Sequence, residues 1–164
     1  MNRPLWNTQN DLAEKVRLGA IELLNAQLAD ALDLGLQAKQ AHWNVKGPNF
    51  IALHELFDDV VKELGEYVDD LAERAVELGG TALGTARIVA KTSRLSEYPP
   101  DISSGREHVL ALSGALAKFG ASARAAIDEA GALGDADTTD LFTEVSRGVD
   151  KLLWKVEAHA QAKD

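Results

Sequence analysis

The 164-residue chain has no cysteine and one methionine, and only 5% of it is aromatic. Without cysteine it can form no disulfide and no thiolate metal site, so any metal must be held by nitrogen and oxygen. Runs of β-branched residues are scarce while alanine and leucine are abundant, so helices must carry the 46% hydrophobic content. No apolar run is long enough to span a bilayer, and no charged, apolar and small-residue series marks a secretory leader; the expectation is a cytoplasmic protein. A Gly-rich phosphate loop, a nucleophile-base pair and internal repeats are missing as well. Positive charge is short too: 17 basic residues face 26 acidic ones, and the net −9 disfavours polyanions and draws cations. The length suits one domain, expected over residues 11–164 behind a flexible arm, MNRPLWNTQN, at residues 1–10.

One stretch, AHWNVKGPNFIALHELFDDVVKELGEYVDDLAERAVELGG, holds five residues with metal-ligand chemistry: His42, His54, Asp58, Asp69 and Glu73. Residues four apart share a helix face, so His54 with Asp58 and Asp69 with Glu73 form two couplets. Along a continuous helix His54 and Asp69 are roughly 22 Å apart, which no single ion spans. All four nevertheless fall within about 100° of one another around the axis. A second copy packed antiparallel about Glu63 and Leu64 would bring each couplet to the other, giving two equivalent sites. Between the couplets run two apolar stripes. Leu53, Phe57, Val60, Leu64, Tyr67, Leu71, Ala75 and Leu78 should face the subunit's own core, and Val61, Gly65, Ala72 and Val76 the second copy.

The remaining periodicity predicts a first helix from Asn10 or Asp11 to near Trp43, with Leu12, Val16, Leu23, Leu24, Leu28, Leu32 and Leu36 inward. Gly47-Pro48 ends it, and a second helix runs from there to Gly79-Gly80. A connection over residues 79–102, with a short helix from Thr85 to Lys91, is long enough to cross back along the bundle. A third helix starts at Ser103 or Ser104 and is closed by Gly131 and Gly134; a fourth starts around Thr138. Trp154 is expected in the core, Trp43 in the core or an interface, and His108 and His159 in surface or structural roles. Trp6 reads as solvated with the arm or as its anchor on a neighbouring subunit.

The text AHWNVKGPNFIALHELFD, DDLAERAVELGGTALGT, YPPDI and SRGVDKLLW resembles the Dps family, the DNA-binding proteins from starved cells, which are ferritin-like mini-ferritins. The spacing His-x11-His-x3-Asp-x10-Asp-x3-Glu is intact. The resemblance implies an all-α, ferritin-like four-helix bundle with a long crossover carrying a short helix. It implies ferroxidase ligands His42, His54 and Asp58 from one subunit, with Asp69 and Glu73 from its two-fold mate. It further implies a homododecamer that oxidises Fe(II), preferably with hydrogen peroxide, and stores ferric mineral; other divalent metals suit the same ligands. Beside His42, Trp43 could absorb stray oxidising equivalents. None of the four histidines has Glu three residues before it, so the Glu-x-x-His pattern of ordinary ferritins is missing. Asp135, Asp137 and Asp140 read either as acids at a helix's positive end or as a ring at a three-fold opening that admits ferrous ions. Many family members bind DNA through a lysine-rich tail; here the arm has Arg3 alone, and twelve chains at −9 each carry −108. DNA binding is therefore expected to be weak. A nucleoid-compacting protein with secondary ferroxidase activity is the alternative, and a shell with a degraded site a third reading.

Overall fold

The computed structural model describes residues 5–161; Arg3 and the rest of residues 1–4 lie outside the described residues. Five helices and no strands make up the described residues: α1 Glu14–Asn44, α2 Phe50–Glu77, the short α3 Ala86–Thr92, α4 Gly105–Leu133 and α5 Ala136–Gln161. Helices α1 and α2 form one antiparallel pair, α4 and α5 another; α1 packs on α4 and α2 on α5, with α3 lying against α1. This is the expected ferritin-like bundle, with residues 78–104 crossing from one pair to the other. Among the described residues no helix is long and apolar enough to cross a membrane.

The helix ends follow from particular side chains. Ser104 accepts from the Glu107 amide while the Glu107 carboxylate takes the Ser104 amide, a full capping box that starts α4 at Gly105. At the end of α2, Gly79 adopts φ +85°, and the Gly79 and Gly80 amides donate to Val76 O and Ala75 O, the Schellman pattern. Gly134, also left-handed, closes α4 in the same way, with Gly131 still inside the last turn. The next residue, Asp135, caps α5 through the Thr138 amide, so α5 begins at Ala136, two residues before the expected start. Helix α1 begins at Glu14 instead of residue 10 or 11. There the Asn10 side chain accepts from the Leu12 amide, and such local bonds hold a turn in competition with helix.

All eight residues of the first α2 stripe are buried, as expected. Of the core residues expected elsewhere, Leu24 and Leu28 are buried, Leu12, Val16, Leu23 and Leu32 are half-buried, and two are exposed. Leu36 is 63% exposed and Trp154 62%, because each lies on a helix face that no other part of the described chain covers. Of the arm, residues 5–10 form no regular element; Leu5 packs on the core, and the Trp6 amide donates to Gly79 O at 2.8 Å. His108 is buried and hydrogen-bonded to Tyr98 Oη at 2.7 Å, a structural role, and His159 is exposed.

At Gly148, on α5, an added Cβ would collide with the Tyr67 side chain of α2, whose hydroxyl donates to Glu63 at 2.8 Å. Replacing a mid-helix glycine by alanine normally gains about 1 kcal/mol, but overpacking costs about 1–3 kcal/mol. Gly148→Ala is therefore expected to lower stability in urea unfolding at fixed protein concentration, with partial recovery in Gly148→Ala/Tyr67→Phe. A more stable Gly148→Ala single variant would contradict this packing.

Candidate metal centre

The turn between α1 and α2 places the last turn of one helix beside the first turns of the next, so His42 and His54 meet. Their rings stack with centroids 3.7 Å apart and planes 20° from parallel. His42 Nδ1 lies 2.7 Å from His54 O, and His54 Nδ1 2.8 Å from His42 O. A carbonyl oxygen can only accept, so both Nδ1 atoms carry the proton and donate. The tautomer of each neutral ring is thereby fixed, and each Nε2 keeps its lone pair for a metal ion. The exchange also supplies a donor to the His42 carbonyl, one of the four at the end of α1 that have no partner within the helix.

One turn beyond His54, the half-buried Asp58 receives Lys39 Nζ at 2.5 Å on Oδ1 and Lys62 Nζ at 3.6 Å on Oδ2. The hydrogen bond from Lys39 is the main cause that holds the Asp58 carboxyl below the usual carboxylate range; partial burial opposes it. Lysine ammonium groups thus occupy positions around this carboxylate that a metal cation would contest. Lys39 is the residue the sequence reading passed over, though a signal was present: it precedes His42 by three on α1, which puts both on one face.

Asp69 and Glu73 are exposed on the far half of α2. The neighbouring cation Arg74 turns instead to Glu77 at 3.2 Å and Asp135 at 3.0 Å. Within one chain the structure brings His42, His54 and Asp58 into one neighbourhood and leaves Asp69 and Glu73 about four helical turns away. Among the described residues no group of three or more His, Asp or Glu comes together in a way that could hold a metal ion. Midway between the couplets, an open apolar groove of about 380 Å³ is lined by Leu32, Leu36, Val61, Gly65, Val68 and Val89, among others. A Cβ built at Gly65 would meet nothing within 4 Å.

The three acids at the start of α5 separate. Asp135 is buried; its carboxylate takes the Thr138 amide at 3.1 Å, the Thr138 hydroxyl at 2.6 Å and Arg74 at 3.0 Å. Burial works against its charge, but the Thr138 bonds and Arg74 outweigh it and keep its pKa below the ordinary value. Its oxygens are committed to the cap and the ion pair, which is the helix-end role. Asp137 and Asp140 are exposed.

The Ferritin family profile, described as a ferritin-like domain, matches residues 21–163. The chain is 46% identical over 156 residues to the DNA protection during starvation protein of Agrobacterium fabrum, spanning 95% of this chain and 96% of that one. Among solved structures, DpsC from Streptomyces coelicolor superposes with a TM-score of 0.93 at 29% identity, covering 98% of this chain and 94% of its own. Dps from Microbacterium arborescens in the high iron form gives 0.86 at 32% identity, covering 94% and 99%.

Asp135 supplies a pH test of its assigned role. A carboxylate whose folded pKa is depressed stabilises the fold above its unfolded pKa of about 3.9 and loses that contribution as pH falls through the folded value. Asp135→Ala is expected to cost about 2–4 kcal/mol, combining a lost cap with an unpaired, partly buried Arg74. In urea unfolding at fixed concentration, the gap between wild type and variant should hold from neutral pH down to about pH 4 and narrow below it. A gap that stays constant into stronger acid would contradict the role.

Proposed function

The chain belongs to the ferritin-like family, and within it to the Dps proteins, and from that premise we propose that it is an iron-storing ferroxidase whose reaction site is shared by two subunits. Its substrate is Fe(II), its oxidant preferably hydrogen peroxide, and its product a ferric mineral held inside a homododecamer in the cytoplasm. The observation that carries this reading is the locked histidine pair. Two imidazoles present Nε2 lone pairs beside a carboxylate, a nitrogen and oxygen donor set suited to ferrous iron and to other divalent metals of similar softness.

In the proposed assembly, His42, His54 and Asp58 of one subunit hold iron on one side, and Asp69 and Glu73 of the two-fold mate hold it on the other. The apolar groove at Gly65 lies near the midpoint of that pairing, where a second α2 can approach closely. The sign of charge matches as well, since Lys39 and Lys62 flank Asp58 while the opposing couplet consists of two acids. Lys39 and Lys62 have a further consequence. They pair with Asp58 within the chain, and in the proposed centre an iron ion at Asp58 displaces them and leaves their ammonium groups to compensate the acids that arrive from the mate.

The balance of the reaction is simple. Two ferrous ions each give up one electron, the O–O bond of hydrogen peroxide breaks, and two protons complete two waters. No hydroxyl radical leaves, which protects DNA without contact with it. The redox chemistry belongs to the iron; the chain holds the ions, fixes the imidazole tautomers and supplies the carboxylates. Asp137 and Asp140, exposed at the start of α5, remain available as part of an iron-admitting opening between subunits, with Asp135 acting behind them as the cap.

Sharing of the site makes an unusual complementation possible. His54→Ala/Asp58→Ala and Asp69→Ala/Glu73→Ala are each expected to lose Fe(II) oxidation by peroxide when assembled alone. Co-assembled in equal amounts, half of the two-fold pairs are mixed, and each mixed pair rebuilds one of its two sites, so about one quarter of the wild-type rate should return. Failure of any activity to return from mixed shells would contradict the shared site, as would a monomeric fraction that oxidises Fe(II) at the full rate per chain.

A further inference from the structure

The segment ahead of α1 is fastened to the far end of α2. The Trp6 amide bonds to Gly79 O, Leu5 packs on the core, and Thr8 and Asn10 turn the backbone toward Leu12. Arg17 ties the same region together through Leu12 O and Leu78 O. The Trp6 indole is nevertheless 70% exposed. A large aromatic in water on a fixed backbone is the pattern of an interface anchor, since its contact area is gained at little cost in conformational entropy.

The antiparallel pairing proposed above determines what lies opposite it. With Asp69 facing Asp58 and Glu73 facing His54, each step outward along one α2 is a step outward along the other. Three residues beyond Glu73 is Val76, and three before His54 is Ile51; six beyond is Gly79, and six before is Pro48. The residues at both ends are apolar and uncovered. Val76 is 54% exposed, Ile51 61%, and Trp43, in the last turn of α1, 64%. Phe50 is 43% exposed, and its ring centroid lies 5.1 Å from that of His54, which places the ring beside the histidine pair.

We propose that Trp6 acts in trans: it seats on Phe50 and Ile51 of the two-fold mate and closes the mouth of the metal centre built on the mate's His42 and His54. The occupant of this exposed patch is a second copy of the chain, and the inference rests on the two-fold reading above. The indole excludes water from one side of the imidazole pair, and the apolar surroundings of a metal site set how strongly its ligands bind. Each subunit then contributes to its neighbour's centre twice, with the carboxylates of Asp69 and Glu73 and with a hydrophobic cover.

A chain free of cysteine permits a clean test. Trp6→Cys/Phe50→Cys and Val76→Cys/Ile51→Cys are assembled, verified by size exclusion and treated with a short bismaleimide. Within one chain, positions 6 and 50 lie near opposite ends of α2, roughly 40 Å apart, so bridging them must join two subunits. Covalent dimers on denaturing gels are expected from both pairs. A dimer from the Val76/Ile51 pair alone leaves the two-fold pairing in place and overturns the seat of Trp6; no dimer from either pair overturns both. As a second readout, Trp6→Ala is expected to weaken Co(II) binding to the assembled protein about tenfold, with Trp6→Phe retaining most of the affinity. Unchanged Co(II) affinity in an intact Trp6→Ala assembly would overturn the covering role.

Discussion

A straight helix cannot fold back on itself, and that constraint governs everything α2 does. Its buried stripe commits one face to the core of its own subunit, from Leu53 to Leu78. The opposite face then displays His54 with Asp58 near one end and Asp69 with Glu73 near the other, roughly 22 Å apart and unable to meet. Only a second rod laid alongside in the reverse direction offers each couplet what it lacks. In the proposed reading, oligomerisation is thus a chemical requirement of the site as well as a means of enclosing space.

The half of the proposed centre that one chain supplies has a fixed geometry. Reciprocal bonds between imidazole Nδ1 atoms and backbone carbonyls need no added group, because the α1 and α2 ends supply both donors and acceptors. The rings are oriented before any ion arrives, which lowers the cost of binding one. Lys39 and Lys62 place two cations beside the half-buried Asp58 carboxylate. Asp135 shows the same economy at the other end of α2: one carboxylate starts α5 and pairs with Arg74.

How much of this could be read from the sequence depends on whether the signal was local. Ser104 with Glu107, Gly79-Gly80 and the α2 stripe were legible because capping, left-handed glycine and a three-four period are properties of adjacent residues. The spacing of the candidate ligands along α2 is a property of the same local kind. Leu36 and Trp154 were misplaced because hydrophobicity marks a buried face without saying whose surface buries it. Lys39 was overlooked because its partner lies 19 residues on, across the helical turn, and the docking of Trp6 on Gly79 spans a still longer separation. Contacts of that kind are set by the bundle's topology and not by any motif.

The most direct measurement is anomalous diffraction from crystals of the assembled protein soaked in Fe(II) under anaerobic conditions. The expected peak lies within coordination distance of Nε2 of His42 and His54 and of Asp58 from one subunit, and of Asp69 and Glu73 from the adjacent one. Iron ligated by a single chain, or the two couplets turned away from each other at every contact between subunits, would contradict the shared centre.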